Sequence, residues 1–123
     1  MHELSIAQSI LETVQREMAD RHWPAVTEIG VQVGALSGVL PDALQFSFDA
    51  IVAETPLAGC RLKIEPVPAQ GQCLRCEQVF DVEQLFFACP ACASGEVQVR
   101  RGYELDIAYL EVEEEAVLVP PDP

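Results

Sequence analysis

Two pairs of cysteines, Cys73-Leu74-Arg75-Cys76 and Cys89-Pro90-Ala91-Cys92, separated by twelve residues, constrain this chain more than any other feature. A gap of two residues lets one tight turn aim both thiolates at a single point. Two such knuckles facing each other make a closed tetrahedral set of four sulfurs, the geometry of structural Zn(II). The competing uses of this spacing are a pair of disulfides or a redox-active C-x-x-C. Gly95, three positions after the second pair, suits a tight turn following a knuckle. Such a site scaffolds a lobe and, by itself, names no function.

At 123 residues the chain reads as one domain with room for a small attached lobe, and half of it is hydrophobic, enough for a real core. Its first residues, Met1-His2-Glu3-Leu4-Ser5, carry an acid and no basic flank. Gln8, Ser9 and Glu12 then interrupt the apolar positions. Neither a signal peptide nor a membrane span is expected, which implies a reducing, cytoplasmic compartment in which thiolates stay available to zinc. The fifth cysteine, Cys60, reads as a small buried apolar residue. Twenty acids against seven Lys and Arg give a net charge of −13, and no basic residue follows residue 102. A phosphate backbone would be repelled, so nucleic acid is excluded as a partner, while metal cations or a basic protein surface would be attracted. Arg75, Arg100 and Arg101 stand near enough in sequence to offset the thiolates, or else simply solvate the surface.

Leu4, Ala7, Leu11, Val14 and Met18, with Ile10 beside them, mark one face of a helix from residue 3 or 4 to about 20, ended by Trp23-Pro24. Ile29, Val31 and Val33 alternate as a half-buried strand. Pro41-Asp42 opens a second helix with Leu44, Phe48, Ile51 and Val52 on one face. Leu62 and Ile64 mark a second strand, broken by Pro66 and Pro68. Short strands at Val79-Phe80 and Val97–Val99 flank the knuckles. In the last strand Leu105 and Ile107 are in phase, and the phase then switches to Ala108, Leu110 and Val112. That switch predicts a bulge or a twist, read here as the place where the strand leaves the ribbon and joins the main sheet.

The resulting fold class is α+β: a small mixed β-sheet with two helices, carrying an inserted zinc-ribbon lobe built on the four paired cysteines. The expected division places residues 1–69 with 103–115 in the α+β domain, 70–102 in the ribbon and 116–123 in a disordered tail. No Gly-rich phosphate loop, G-x-S-x-G or H-E-x-x-H is present, so the chain is not read as an enzyme.

His2 lies beside a free amine, and a residue as large as histidine at position 2 favours retention of Met1. The α-amine, the His2 amide nitrogen once deprotonated and imidazole Nδ1 can close a five-membered and a six-membered chelate ring. Glu3 can add its backbone nitrogen or carboxylate. Nitrogen-rich, near-planar donor sets suit Ni(II) or Cu(II) better than Zn(II). A histidine at this position is also common without any ligand role, and His22, beside Trp23, reads as a helix-end residue.

Met1-His2-Glu3-Leu4-Ser5, the Gly34-Ala35-Leu36-Ser37 turn, Phe46-Ser47-Phe48, the Cys73–Cys92 ribbon and the closing Leu110-Glu111-Val112 occur together in this order. Over about residues 1–113 the chain thereby resembles the HypA/HybF family of hydrogenase maturation nickel chaperones. The resemblance implies Ni(II) as transient cargo at His2, helped by Met1 and Glu3, and structural Zn(II) at Cys73, Cys76, Cys89 and Cys92. It further implies delivery, with a companion nickel-pathway GTPase, to a nickel–iron hydrogenase large subunit precursor; some members of the family also serve urease. A homodimer is compatible with the sequence. The competing class is a zinc-ribbon adaptor that organises proteins and carries no cargo. The ribbon holds no histidine, and where some relatives carry an acid in the Gly34–Pro41 loop this chain has Leu40, with Asp42 two positions on.

Overall fold

A computed structural model describes residues 3–82 and 88–113. Met1, His2 and the expected tail at 116–123 lie outside the described residues. Helix α1 spans Glu3–Arg21, strand β1 Val26–Gly34, helix α2 Pro41–Val52 and strand β2 Arg61–Val67. The ribbon strands are β3 (Gln70–Cys73), β4 (Val79–Asp81) and β5 (Val97–Arg101), and β6 (Leu105–Val112) closes the chain. One sheet has the order β2-β1-β6, with β1 parallel to β2 and antiparallel to β6; the other has the order β4-β3-β5 and is antiparallel. The α+β class with a mixed sheet, two helices and a cysteine-bearing lobe is thus present.

The core forms where both helices cover one face of the first sheet. Ala7, Ile10, Leu11 and Val14 of α1 and Leu44, Phe48 and Val52 of α2 meet Ile29, Val31 and Val33 of β1 and Leu62 of β2. Each buried Leu, Ile, Val or Phe side chain contributes about 1.5–3 kcal/mol relative to exposure. Cys60 joins this core, and burial pushes its thiol up from the ordinary range. Leu4 departs from the expected stripe: it lies one turn before the first packed position and stays 46 % exposed.

α1 ends by backbone geometry. His22 takes a left-handed φ of 58°, and the Trp23 N–H reaches back to the Met18 carbonyl at 3.0 Å, the six-to-one bond that satisfies an orphan carbonyl at a helix C-terminus. His22 is therefore a cap through its main chain. Its Cβ is strained there by roughly 1 kcal/mol. His22→Gly is expected to raise stability by about that amount, read as a higher urea midpoint at unchanged slope.

Two strand boundaries differ from the sequence reading. Proline at 66 does not break β2, which runs on to Val67 and pairs Pro66 with Val33. Because β2 borders the sheet, an N–H there can face outward, so its loss is tolerated. The bulge in β6 is real: Gly30 pairs with Tyr109 and Val31 with Ile107, leaving Ala108 over. Its role is different from that expected, because β6 pairs with β1 on both sides of the bulge. The passage between sheets comes earlier, at residues 102–104, and the extra residue serves to bring Leu110 and Val112 back onto the core side. β3, the central strand of the second sheet, has no counterpart in the sequence reading.

On the face of the first sheet away from the helices, Tyr109 lies across Gly30, where a Cβ would come within 2.0 Å of its ring. The Tyr109 hydroxyl donates to Glu28 Oε2 at 2.5 Å, and Arg61 Nη2 donates to Glu28 Oε1 at 3.0 Å. These bonds hold the Glu28 carboxyl below its ordinary value, Tyr109 first and Arg61 second, and push the Tyr109 phenol up to about 12. One carboxylate thus ties all three strands together.

The two sheets meet at a neck. Gly34 N–H donates to the Glu104 carbonyl at 2.7 Å, Leu36 N–H to the Gly102 carbonyl at 2.6 Å, and Ala35 N–H to the Val67 carbonyl at 2.9 Å. A Cβ on Gly34 would fall 2.0 Å from the Gly102 carbonyl oxygen. The Gly34-Ala35-Leu36-Ser37 turn is therefore the point where β1, the exit of β2 and the entry to β6 touch backbone to backbone.

Candidate metal centre

The two knuckles are built alike. Cys73 ends β3, its N–H bonds the Gln78 carbonyl at 2.9 Å, and its carbonyl accepts from Glu77 N–H at 2.9 Å. Cys89 repeats the pattern, with its N–H on the Ser94 carbonyl at 2.9 Å and its carbonyl accepting from Ala93 N–H at 2.8 Å. Each turn closes on a non-glycine residue in the left-handed region, Glu77 at φ 67° and Ala93 at φ 63°. Gly95, expected to supply the turn, has no positive φ; the reversal is complete two residues earlier, at the position that follows the second cysteine. The Leu74 N–H bonds the Glu96 carbonyl at 2.8 Å and locks one knuckle to the other.

This arrangement aims four sulfurs at one point. Cys73 Sγ lies 3.6 Å from Cys92 Sγ and Cys76 Sγ lies 3.5 Å from Cys89 Sγ. All four lie within 4.8 Å of one another. A zinc ion with Zn–S bonds of about 2.3 Å needs sulfur–sulfur edges of about 3.8 Å, so the donors fit Zn(II) with small adjustment. The alternative of disulfides is set aside, since all four are free thiols. The first cysteine of each pair is buried and the second exposed. Backbone N–H groups also point at sulfur: Arg75 and Cys76 donate to Cys73 Sγ at 3.4 Å each, and Ala91 to Cys89 Sγ at 3.3 Å. Such bonds favour the thiolate, and the Cys73 thiol is held at about 6, chiefly by the Cys76 amide and then by that of Arg75 against burial. The Gln78 amide favours the Cys76 thiolate, yet the Cys89 sulfur, burial and the remaining sulfurs outweigh it and push this thiol up to about 12. Cys92 is likewise raised: the Ser94 amide is outweighed by Cys73, burial and Cys89. Sulfurs this close cannot all ionise without a cation among them. Bound Zn(II) would supply that charge and hold the lobe's turns together.

The arginines stand elsewhere. Arg100 Nη1 donates to Gln72 Oε1 at 2.6 Å, and Arg101 Nε lies 4.0 Å from Glu104 Oε2. Arg75 serves the sulfurs through its main-chain N–H.

At the other expected site, only Glu3 lies within the described residues. It opens α1, and its Oε2 accepts from the Leu40 N–H at 3.1 Å. Leu40 is the cap position of α2 and has no side-chain cap of its own. The carboxylate therefore sits where the positive ends of both helices converge. His22, exposed at the far end of α1, is not brought to this place. Asp42 stands exposed in the first turn of α2.

The chain matches, over residues 1–112, the family described as "Hydrogenase/urease nickel incorporation, metallochaperone, hypA". It belongs to the HypA family. Among relatives, it is 44 % identical to "Hydrogenase maturation factor HypA" of Geobacter metallireducens over 113 residues, covering 92 % of this chain and 100 % of that protein. A protein of the same description from Acidithiobacillus ferrooxidans is 42 % identical over the same shares. In fold the chain is similar to the solution structure of the Ni metallochaperone HypA from Helicobacter pylori, with TM-score 0.63 and 22 % identity over 91 % of this chain and 97 % of that one. A second HypA solution structure gives TM-score 0.69 at 22 % identity, over 94 % and 98 %. The chain's function is accordingly that of the HypA family, nickel metallochaperone work in hydrogenase maturation, with nickel as cargo and a four-cysteine centre of the kind that holds structural zinc.

Two features of this HypA chain escape the sequence reading. The Glu3–Leu40 contact joins residues 37 apart and has no local signal. The exposure of Phe46 has one: in Phe46-Ser47-Phe48, two residues of helix turn a side chain by about 200°, so both rings cannot face one core.

Proposed function

We propose that the chain carries Ni(II) on its first residues, through the α-amine of Met1, the amide and imidazole of His2, and Glu3. It then hands the ion to the nickel–iron hydrogenase large subunit precursor in the cytoplasm, with a companion GTPase. Zinc at Cys73, Cys76, Cys89 and Cys92 stays in place throughout. On this reading the α+β part, residues 1–69 with 103–115, bears the cargo and residues 70–102 form the zinc-ribbon domain.

The observation that carries the reading is the seat of Glu3. Its carboxylate, held by Leu40, fixes the start of α1 beside the start of α2, so one of the proposed donors has a set place in the fold. A free amine, a main-chain nitrogen and an imidazole are easy to reach and easy to strip, as a carrier requires. The four-sulfur set is closed and slow to exchange by comparison. A separation of cargo from scaffold follows from these two chemistries.

The test compares Ni(II) binding by the native protein, by His2→Ala and by a form with extra residues before Met1. Both changes are expected to reduce affinity at least tenfold while zinc content stays constant. Native affinity should also fall as pH drops below about 7, because imidazole and α-amine, with ordinary values of about 6.5 and 7.7–8.0, take up protons in competition with the metal. Equal nickel binding by all three proteins would sink the proposal. No helix among the described residues is long and apolar enough to cross a membrane.

A further inference from the structure

The two most exposed large apolar side chains among the described residues stand at α2, Phe46 within it and Leu40 at its cap: Phe46 is 75 % and Leu40 66 % accessible. α2 places Leu44, Phe48 and Val52 in the core, and neither Phe46 nor Leu40 belongs to that cluster. Ala43 and Phe46, three residues apart, are neighbours on an outer ridge of the helix, and Leu40 stands exposed at the cap, one turn before Ala43. A single apolar residue at the surface is ordinary; a ridge crowned by a phenyl ring is a feature of docking surfaces.

Two neighbouring observations say what kind of surface would cover it. Asp42 and Asp49 flank Phe46 and are exposed, Asp49 accepting from Gln45 Nε2 at 3.1 Å. From His22 to Cys60 the chain contains no Lys or Arg, so no basic side chain of this stretch offsets them. The ridge also begins at the proposed cargo end, since Leu40 is the residue whose N–H holds Glu3.

We propose that the Leu40–Ala43–Phe46 ridge is the docking surface for the protein that receives the cargo: an apolar socket takes the Phe46 ring, and Lys or Arg at the socket's rim face Asp42 and Asp49. Charge complementarity of this kind speeds encounter, and the buried ring sets the lifetime of the complex. The identity of the receiver rests on the reading under Proposed function; the ridge itself does not.

The experiment uses the full nickel-loaded chain and, as probe, the purified hydrogenase large subunit precursor of the same pathway. Phe46→Ser is expected to weaken binding at least tenfold, and Phe46→Leu less than about threefold. Replacing both Asp42 and Asp49 by Asn should slow association several-fold and flatten its salt dependence. All variants should retain native nickel and zinc contents. Binding of Phe46→Ser equal to native, or no binding by the native chain, overturns the proposal. So does a self-association that Phe46→Ser abolishes, which would assign the ridge to a second copy of the chain. A chain that docks through Phe46 yet holds no nickel at its first residues refutes the carrier reading and leaves the ridge standing.

Discussion

Cys73→Ser is expected to release zinc from most of the protein and to unfold the β4-β3-β5 sheet while the helices keep their packing. Cys73 is fully buried and accepts two backbone N–H bonds on its sulfur. A hydroxyl there is a poor zinc ligand at neutral pH and too short to reach the same point. Structural zinc contributes about 10–16 kcal/mol of apparent binding free energy in small peptides, far more than a three-stranded sheet with three to five residues per strand can replace. None of the residues packing α1 and α2 onto β1 is a zinc ligand, so that core should survive. Metal analysis and amide exchange, read strand by strand, would check this. Full zinc content with unchanged exchange in β3 and β5 would refute it.

The second large effect lies at the neck. Gly34→Ala is expected to destabilise the whole chain by about 3 kcal/mol, because the added carbon meets the Gly102 carbonyl oxygen, the Gly102 carbonyl carbon and the Glu104 nitrogen, all main-chain atoms. Overpacking normally costs about 1–3 kcal/mol where side chains can yield; here the obstacle is backbone held by hydrogen bonds on both sides. A fall in melting temperature of roughly 10 °C or more follows for a chain of this size. Zinc should remain bound, which separates this outcome from that of Cys73→Ser. A melting temperature within a degree or two of native would show that the neck can open without cost.

These two substitutions also mark what can be read in advance. The cysteine pairs are legible because the knuckle is local: two intervening residues fix where both sulfurs point. The helices and β1 are legible because their apolar periods agree with the faces they bury. β3 is not, since Gln70-Gly71-Gln72 has no apolar alternation and is a strand only because β4 and β5 pair on either side of it. The bulge at Ala108 is visible as a phase switch, but its partner strand is not, because pairing is a tertiary fact. Gly95 misleads for a related reason: the metal-site turns force Glu77 and Ala93 into the left-handed region, overriding the preference for glycine. At the carrier end, His2 is conspicuous in sequence, whereas the seat of Glu3 depends on a loop that the fold brings back from 37 residues away.

Pro66 has a consequence for crowded solutions. A sheet with two bare margins can recruit neighbours on both flanks and grow into fibrils. Here the β2 margin offers an incoming strand a proline without a hydrogen to donate, alongside the charged side chains of Arg61, Lys63 and Glu65. Recruitment along this sheet is left to the β6 flank, and an assembly grown through it alone, able to add on one flank only, stops at a pair. Lateral growth of the β2-β1-β6 sheet is thereby limited by one residue of its margin strand.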